Sequence, residues 1–110
     1  MSRTIPRAYV TAAWSNNCLE AQVQARRYCK ILVDMGYCPI CPVLAFNGIF
    51  DSDNPDAHKL MREMSEDLLK RSRFLVVCGN HADEEVQDDI SIAKKARLII
   101  TSLEGITGYH

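Results

Sequence analysis

Five acids, Asp83, Glu84, Glu85, Asp88 and Asp89, follow closely on an apolar run, Phe74 to Cys78, that ends at Gly79-Asn80. A strand that feeds a helix through a glycine-containing turn is how open α/β sheets build ligand sites, in the crevice beyond the strands' carboxyl ends. Carboxylates in that crevice suit a hydroxyl-rich, cationic or metal ligand better than a free phosphate. Asp83, Glu84 and Glu85 need no function, since acids in a first helical turn each stabilise the helix dipole by ~0.3–1 kcal/mol. Asp89 is explained less well in that way. It lies deeper in the helix, next to Ile90, on the flank that faces the core and the strand ends. A carboxylate there can attack an anomeric carbon or stabilise an oxocarbenium-like transition state. The plain alternative is a solvated helix acid.

Other chemistry-bearing residues point less clearly. Cys38-Pro39-Ile40-Cys41 is a CxxC. A redox role needs one thiol at a helix N-terminus, where the dipole lowers its pKa; here the pair is expected inside a strand, with Pro42 following. A zinc site needs a second ligand pair, and no spacing supplies one. Cys18, Cys29, Cys38, Cys41 and Cys78 therefore read as reduced, mostly buried thiols. His81 reads as an exposed loop histidine near the acidic crevice. Neither G-x-G-x-x-G nor G-x-x-x-x-G-K-[ST] occurs, so neither common phosphate-cradling loop is present. No cofactor and no metal are implied.

The elements that must position these residues follow from periodicity. Arg7 to Ala13 reads as a first strand, with Trp14 at its end. Asn17 and Glu20 have capping-box spacing, and Cys18, Ala21, Ala25, Tyr28, Cys29, Leu32 and Met35 recur at helical spacing before Gly36 stops the helix. Tyr37 to Cys41 is a second strand, sent to a sheet edge by Pro39 and Pro42. Val43 to Ser52 connects to Asn54-Pro55, a strong helix start. That helix runs to about Arg71, with Ala57, Leu60, Met61, Met64 and Leu68 on one face. Phe74 to Cys78 is strand three, Glu84 to Ala96 helix three, and Leu98 to Thr101 strand four; Ser102 to His110 reads as loop. The alternation predicts an α/β three-layer sandwich with a mainly parallel four-stranded sheet, order 2-1-3-4, spanning 1–110 as one domain. The switch point then falls between strands one and three. Ala12, Ala13, Trp14 and Ser15 line it from one side, Gly79, Asn80 and the start of helix three from the other.

At 110 residues, 47% hydrophobic and 25% charged, the chain has the composition of a soluble globular domain. A net charge of −1 gives no electrostatic case for nucleic acid. No apolar stretch approaches the ~20 residues that span a bilayer, and the N-terminus lacks a signal-peptide run, so a cytoplasmic location is expected.

Tyr9-Val-Thr-Ala-Ala-Trp-Ser15, Ala25-Arg-Arg-Tyr-Cys29, Gly36-Tyr-Cys-Pro-Ile-Cys-Pro42, Asp67-Leu-Leu-Lys70, Phe74-Leu-Val-Val-Cys-Gly79 and Asp89-Ile-Ser-Ile-Ala-Lys94 occur in order. Together this set resembles the small bacterial and phage proteins grouped as nucleoside 2-deoxyribosyltransferase-like, over about residues 8–101. The resemblance implies a flavodoxin-like fold and a nucleoside or nucleotide ligand. It implies a helix carboxylate, Asp89 here, that attacks the anomeric carbon and displaces the base. It places the base-stacking aromatic at Trp14; the substrate contacts expected around that position are Tyr9, Ser15, Gly79, Asn80, Asp83 and Glu85. It also implies a homo-oligomer, with Phe46 to Phe50 and the tail at Tyr109 as candidate contacts. The chain departs from the pattern where Asp83-Glu84-Glu85-Val86 replaces Ser-x-Gly-Met, and where Asp89 replaces glutamate, one methylene longer. Three functions remain open: cleavage or transfer of the N-glycosidic bond of a deoxynucleoside or its monophosphate, a catalytically lapsed nucleotide-binding module with a regulatory or phage–host role, or a purely structural oligomer subunit.

Overall fold

Alternate side chains of β1 (Arg7–Ala12) turn to opposite sides of the sheet, and this alternation divides the core in two. The computed structural model describes residues 5–12, 18–46, 49, 54–79 and 84–107. After β1 come α1 (Cys18–Asp34), β2 (Cys38–Ile40), α2 (Pro42–Ala45), α3 (Pro55–Lys70), β3 (Phe74–Cys78), α4 (Glu84–Lys95), β4 (Ile99–Ser102) and α5 (Leu103–Thr107). The strands form a four-stranded parallel sheet in the order β2-β1-β3-β4. This is the order that the strand–helix alternation predicts, in the flavodoxin-like arrangement that the resemblance implies. β1 runs beside β3 from Ala8 opposite Phe74 to Ala12 opposite Cys78. β2 lies at the edge. There the N–H of Cys38 reaches the carbonyl of Pro6 at 2.9 Å, so by alternation Pro39 presents its donor-less nitrogen outward, where no ladder bond is lost.

On one face Ala8, Val10, Ala12, Val76 and Cys78 pack with Ala25 and Leu32 of α1 and Ile106 of α5. On the other, Tyr9 and Leu75 pack with Leu69 of α3 and Ala93 of α4. Burying a side chain such as Leu32 or Leu69 stabilises the fold by ~1.5–3 kcal/mol. The helix boundaries have local causes. Asn54 caps α3, its Oδ1 accepting from the N–H groups of Asp56 at 2.9 Å and Ala57 at 3.4 Å. Gly36, with φ +92°, closes α1, and the N–H of Tyr37 reaches back to Leu32 at 3.0 Å. α4 closes in the same way through Arg97, φ +62°, with the N–H of Leu98 donating to Ala93 at 2.9 Å.

Four expectations need correction. The second strand stops at Ile40, and Cys41 leaves the ladder to precede α2, which forms within the expected connecting segment. Pro42 at the first position explains this, because its fixed φ starts a helix and cannot extend a ladder. Cys38 is exposed rather than buried, so the two thiols of the CxxC occupy different environments. The tail forms α5, whose Ile106 is buried against the sheet; an isolated turn of this length carries no periodic signal. Finally, α3 is rotated from its expected face: Leu60 and Met64 are 43% and 42% exposed, while Ser65 and Leu69 are buried. The capping pair's Asn17 lies outside the described residues.

Candidate functional site

The rotation of α3 is explained by what it meets. Half-buried Arg62 reaches Asp89 of α4, Ser65 one turn on is buried, and buried Leu69 continues the stripe. On α4 the buried positions are Val86, Asp89 and Ala93, so Asp89 sits within the inward stripe at 5% exposure. β1 supplies Tyr9 and Thr11 to this face, and Thr11 stands opposite Val77 near the carboxyl end of β3. The carboxylate is therefore held beside the β1–β3 boundary, at the switch point of the sheet, where open α/β folds take their ligands.

The contacts of Asp89 are few and specific. The hydroxyl of Thr11 donates to Oδ2 at 2.8 Å, with both groups buried. Arg62 Nη2 stands 3.6 Å from Oδ1. That distance is too long for a tight bidentate fork, so the guanidinium acts mainly as a nearby positive charge. Burial raises the pKa of Asp89 above the ordinary carboxylate value. The Thr11 hydrogen bond and the Arg62 charge oppose the rise, while Glu85, one turn earlier, adds to it. Burial wins, and the result is a carboxylate more basic than usual with one oxygen fixed and the other facing Arg62. A group of this kind can attack an electrophilic carbon or support a developing positive charge.

Around it the polar groups satisfy one another. The hydroxyl of Tyr9 lies near Ser65. The hydroxyl of Ser65 donates to the carbonyl of Met61 at 2.8 Å. Burial first, then the charge of Asp89, raise the pKa of Tyr9 far above normal, and it stays a neutral phenol. Among the described residues no buried side-chain polar atom lacks a partner. A cluster this complete is stiff, which suits a group that must hold its angle.

Of the residues expected at the site, Asp89 and Tyr9 are brought together in the cluster. Gly79 is exposed at the end of β3 with φ +85°, a left-handed turn that favours glycine. Glu85 is exposed on the first turn of α4. Trp14, Ser15, Asn80 and Asp83 lie outside the described residues. Four residues escaped the sequence reading: Thr11, Arg62, Ser65 and Tyr28. The hydroxyl of Tyr28 on α1 lies 3.9 Å from where a side chain on Gly79 would begin, at the carboxyl end of β3. Arg62 and Ser65 left one usable signal, two polar residues three apart in line with Leu69. An apolar groove of about 490 Å³, lined by Phe46, Leu60, Glu63, Met64, Asp67 and Leu68, lies on the opposite side of α3 and shares none of these groups.

The chain belongs to a family described as a domain of unknown function (DUF7768), whose model matches residues 6–103. No curated protein matches the sequence. Among solved structures, the fold is similar to that of a 2-deoxyribosyltransferase from the psychrotolerant bacterium Bacillus psychrosaccharolyticus. The TM-score is 0.70 over 87% of this chain and 70% of that one, at 11% identity. At that identity the likeness is one of fold. The relation to deoxyribosyltransferases suggested by the sequence therefore stands at the level of architecture, while the sequence family is DUF7768.

Proposed function

We propose that this protein cleaves or transfers the N-glycosidic bond of a deoxynucleoside or its monophosphate, with Asp89 as nucleophile. One observation carries the reading: a buried, abnormally basic carboxylate is oriented by Thr11 at the switch point of the sheet. In the proposed reaction a carboxylate oxygen attacks the anomeric carbon as the C–N bond breaks, and the base leaves with the bonding pair. Water, or a second base, then displaces Asp89 from the glycosyl-enzyme. Thr11 holds the angle of attack. Trp14 stacks on the base, and Asn80, Asp83 and Glu85 take the sugar hydroxyls. The chemistry needs no cofactor, and the partner is a small nucleoside or nucleotide met in the cytoplasm. The active form is a homodimer or larger, with Phe46 beside Leu60 and Met64 as the apolar contact; a monomer by light scattering at micromolar concentration would count against it.

A second reading draws on the same cluster. Both oxygens of Asp89 already face protein partners, and the residue is only 5% exposed. That closure favours a module that holds a nucleotide without cleaving it. Incubating purified protein with each deoxynucleoside and its monophosphate, and measuring free base by chromatography, separates the two. Release supports catalysis. Quenching of Trp14 fluorescence without release supports the binding module. Neither response would remove both.

A further inference from the structure

The two edges of the sheet are finished differently. β2 carries Pro39 and is closely followed by Pro42. Proline offers an incoming strand no donor, which is one way natural sheets blunt an edge. β4 forms the other edge with Ile99-Ile100-Thr101-Ser102, which holds no proline, no glycine and no charge. The N–H of Ile99 donates to the carbonyl of Arg73 at 3.1 Å, toward β3. Backbone groups alternate along a strand, so those of Thr101 also turn to β3, and those of Ile100 and Ser102 turn outward. Among the described residues no strand pairs with that side. Ile99 is 51% exposed beside it, a large apolar side chain on an open edge.

The charges that flank the strand select the occupant. Lys94, Lys95 and Arg97 stand exposed before it, and Glu104 stands exposed after it. A second copy laid parallel would set the cationic ends against each other. Laid antiparallel about a two-fold axis, with Ile100 opposite Ile100, it sets Arg97 of each copy opposite Leu103 and beside Glu104 of the other. In the same register each Ile100 N–H donates to the Ile100 carbonyl of the other copy, and each Ser102 N–H to the Leu98 carbonyl. Ile99 and Thr101 share a face by alternation, so Ile99 of one copy packs on Thr101 of the other and loses its exposure. The edge is thus complementary to itself in backbone, side chains and charge, as a two-fold interface requires.

We propose that β4 is a docking edge for a second copy of this chain, which adds its own β4 antiparallel and joins the two sheets into one. A seam of four residues belongs to the weak, concentration-dependent class of interface. The joined sheet then ends on β2 at both sides, where the prolines oppose further addition. Growth through this contact therefore stops at two copies. The seam shares no residue with the apolar contact on α3, and it stands whether or not Asp89 is catalytic.

The test follows amide hydrogen exchange of the full chain by NMR at high and low protein concentration. Ile100 and Ser102 should exchange several-fold more slowly at the high concentration, while Ile99 and Thr101, bonded to β3, stay slow at both. A contact through α3 leaves the Ile100 amide unprotected, so this readout isolates the edge. Ile100→Pro removes the outward donor and no β3–β4 bond; it should keep the far-ultraviolet circular dichroism of the wild type and lose the concentration dependence at Ser102. Arg97→Glu and Glu104→Arg should each weaken the pairing alone, by setting like charges together, and restore it when the two variants are mixed at low salt. Equally fast exchange of Ile100 at both concentrations would overturn the proposal. So would slow exchange that ignores concentration, since the chain would then cover its own edge. A mixture no better protected than either charge variant alone would rule out the antiparallel second copy. Should Ile100→Pro fail to fold, the wild type and the charge pair decide between these outcomes.

Discussion

One sheet presents two faces built on different principles. Toward α1 and α5, β1 offers Ala8, Val10 and Ala12, and the helices answer with Ala25, Leu32 and Ile106; only thiols interrupt the hydrocarbon. Toward α3 and α4, the same strand offers Tyr9 and Thr11, answered by Ser65, Arg62 and Asp89. The first face is held by area removed from water. The second spends part of its interior on groups that gain little net stability when paired and cost much when unpaired. A layer needed only for stability would be apolar throughout. The contrast therefore teaches where to look for function: on the face where burial is spent on polar groups that satisfy one another.

The sharpest way to break this contrast is activity. If base release is detected, Asp89→Asn should lower it by at least roughly 10³-fold, since loss of a nucleophile leaves only binding effects. Cys41→Ser, on the other face, should leave it unchanged. Equal losses would mean that the faces are not functionally separate. Stability gives the next test, read by urea denaturation. Leu32→Ala should cost ~2–5 kcal/mol, the range for truncating a buried leucine. Ser65→Ala should cost less, ~1–3 kcal/mol, because it removes a polar neighbour of buried Tyr9 without opening a large cavity. A negligible effect of Ser65→Ala would show that Tyr9 does not depend on Ser65 and that the polar face is looser than described.

A third test uses pH. Asp89 has a raised pKa in the folded protein, so the folded state holds that proton more tightly than the unfolded chain. Its contribution to stability is present below the unfolded carboxylate value of ~3.9 and is lost as pH rises through the higher folded value. Asp89→Asn has no such proton to lose. It should melt at or above the wild-type temperature near pH ~7 and give up that advantage as the pH falls toward ~4. A variant less stable than wild type at neutral pH would mean that the Thr11 and Arg62 contacts outweigh burial. The smallest effect compares the ends of the two helices that cover the two faces. α1 closes on Gly36 and α4 on Arg97, both at positive φ. Arg97→Gly should relieve the left-handed cost and stabilise by ~0.5–1 kcal/mol in thermal melts, after the extra freedom of glycine in the unfolded chain is deducted.

Local and periodic features were legible in the sequence alone. The alternation of strands and helices, the prolines that send β2 to an edge, the Asn54-Pro55 start of α3 and the Gly36 stop of α1 each act within a few residues, so each is written where it acts. Asp89 was legible as a candidate because dipole stabilisation explains a first-turn acid and not one placed so far along the helix. What tertiary structure alone decided depends on partners distant in the chain. α3 turns Arg62 and Ser65 inward, against its own apolar pattern, because Thr11 brings Asp89, and Tyr9 brings a hydroxyl, to meet them. Cys41 is buried while its motif neighbour Cys38 is exposed, because Pro42 turns the chain into α2 and Cys38 stays in the edge strand. Periodicity records which side of an element avoids water. It cannot record a polar side chain whose burial is compensated from another element, since that compensation exists only once the chain has folded.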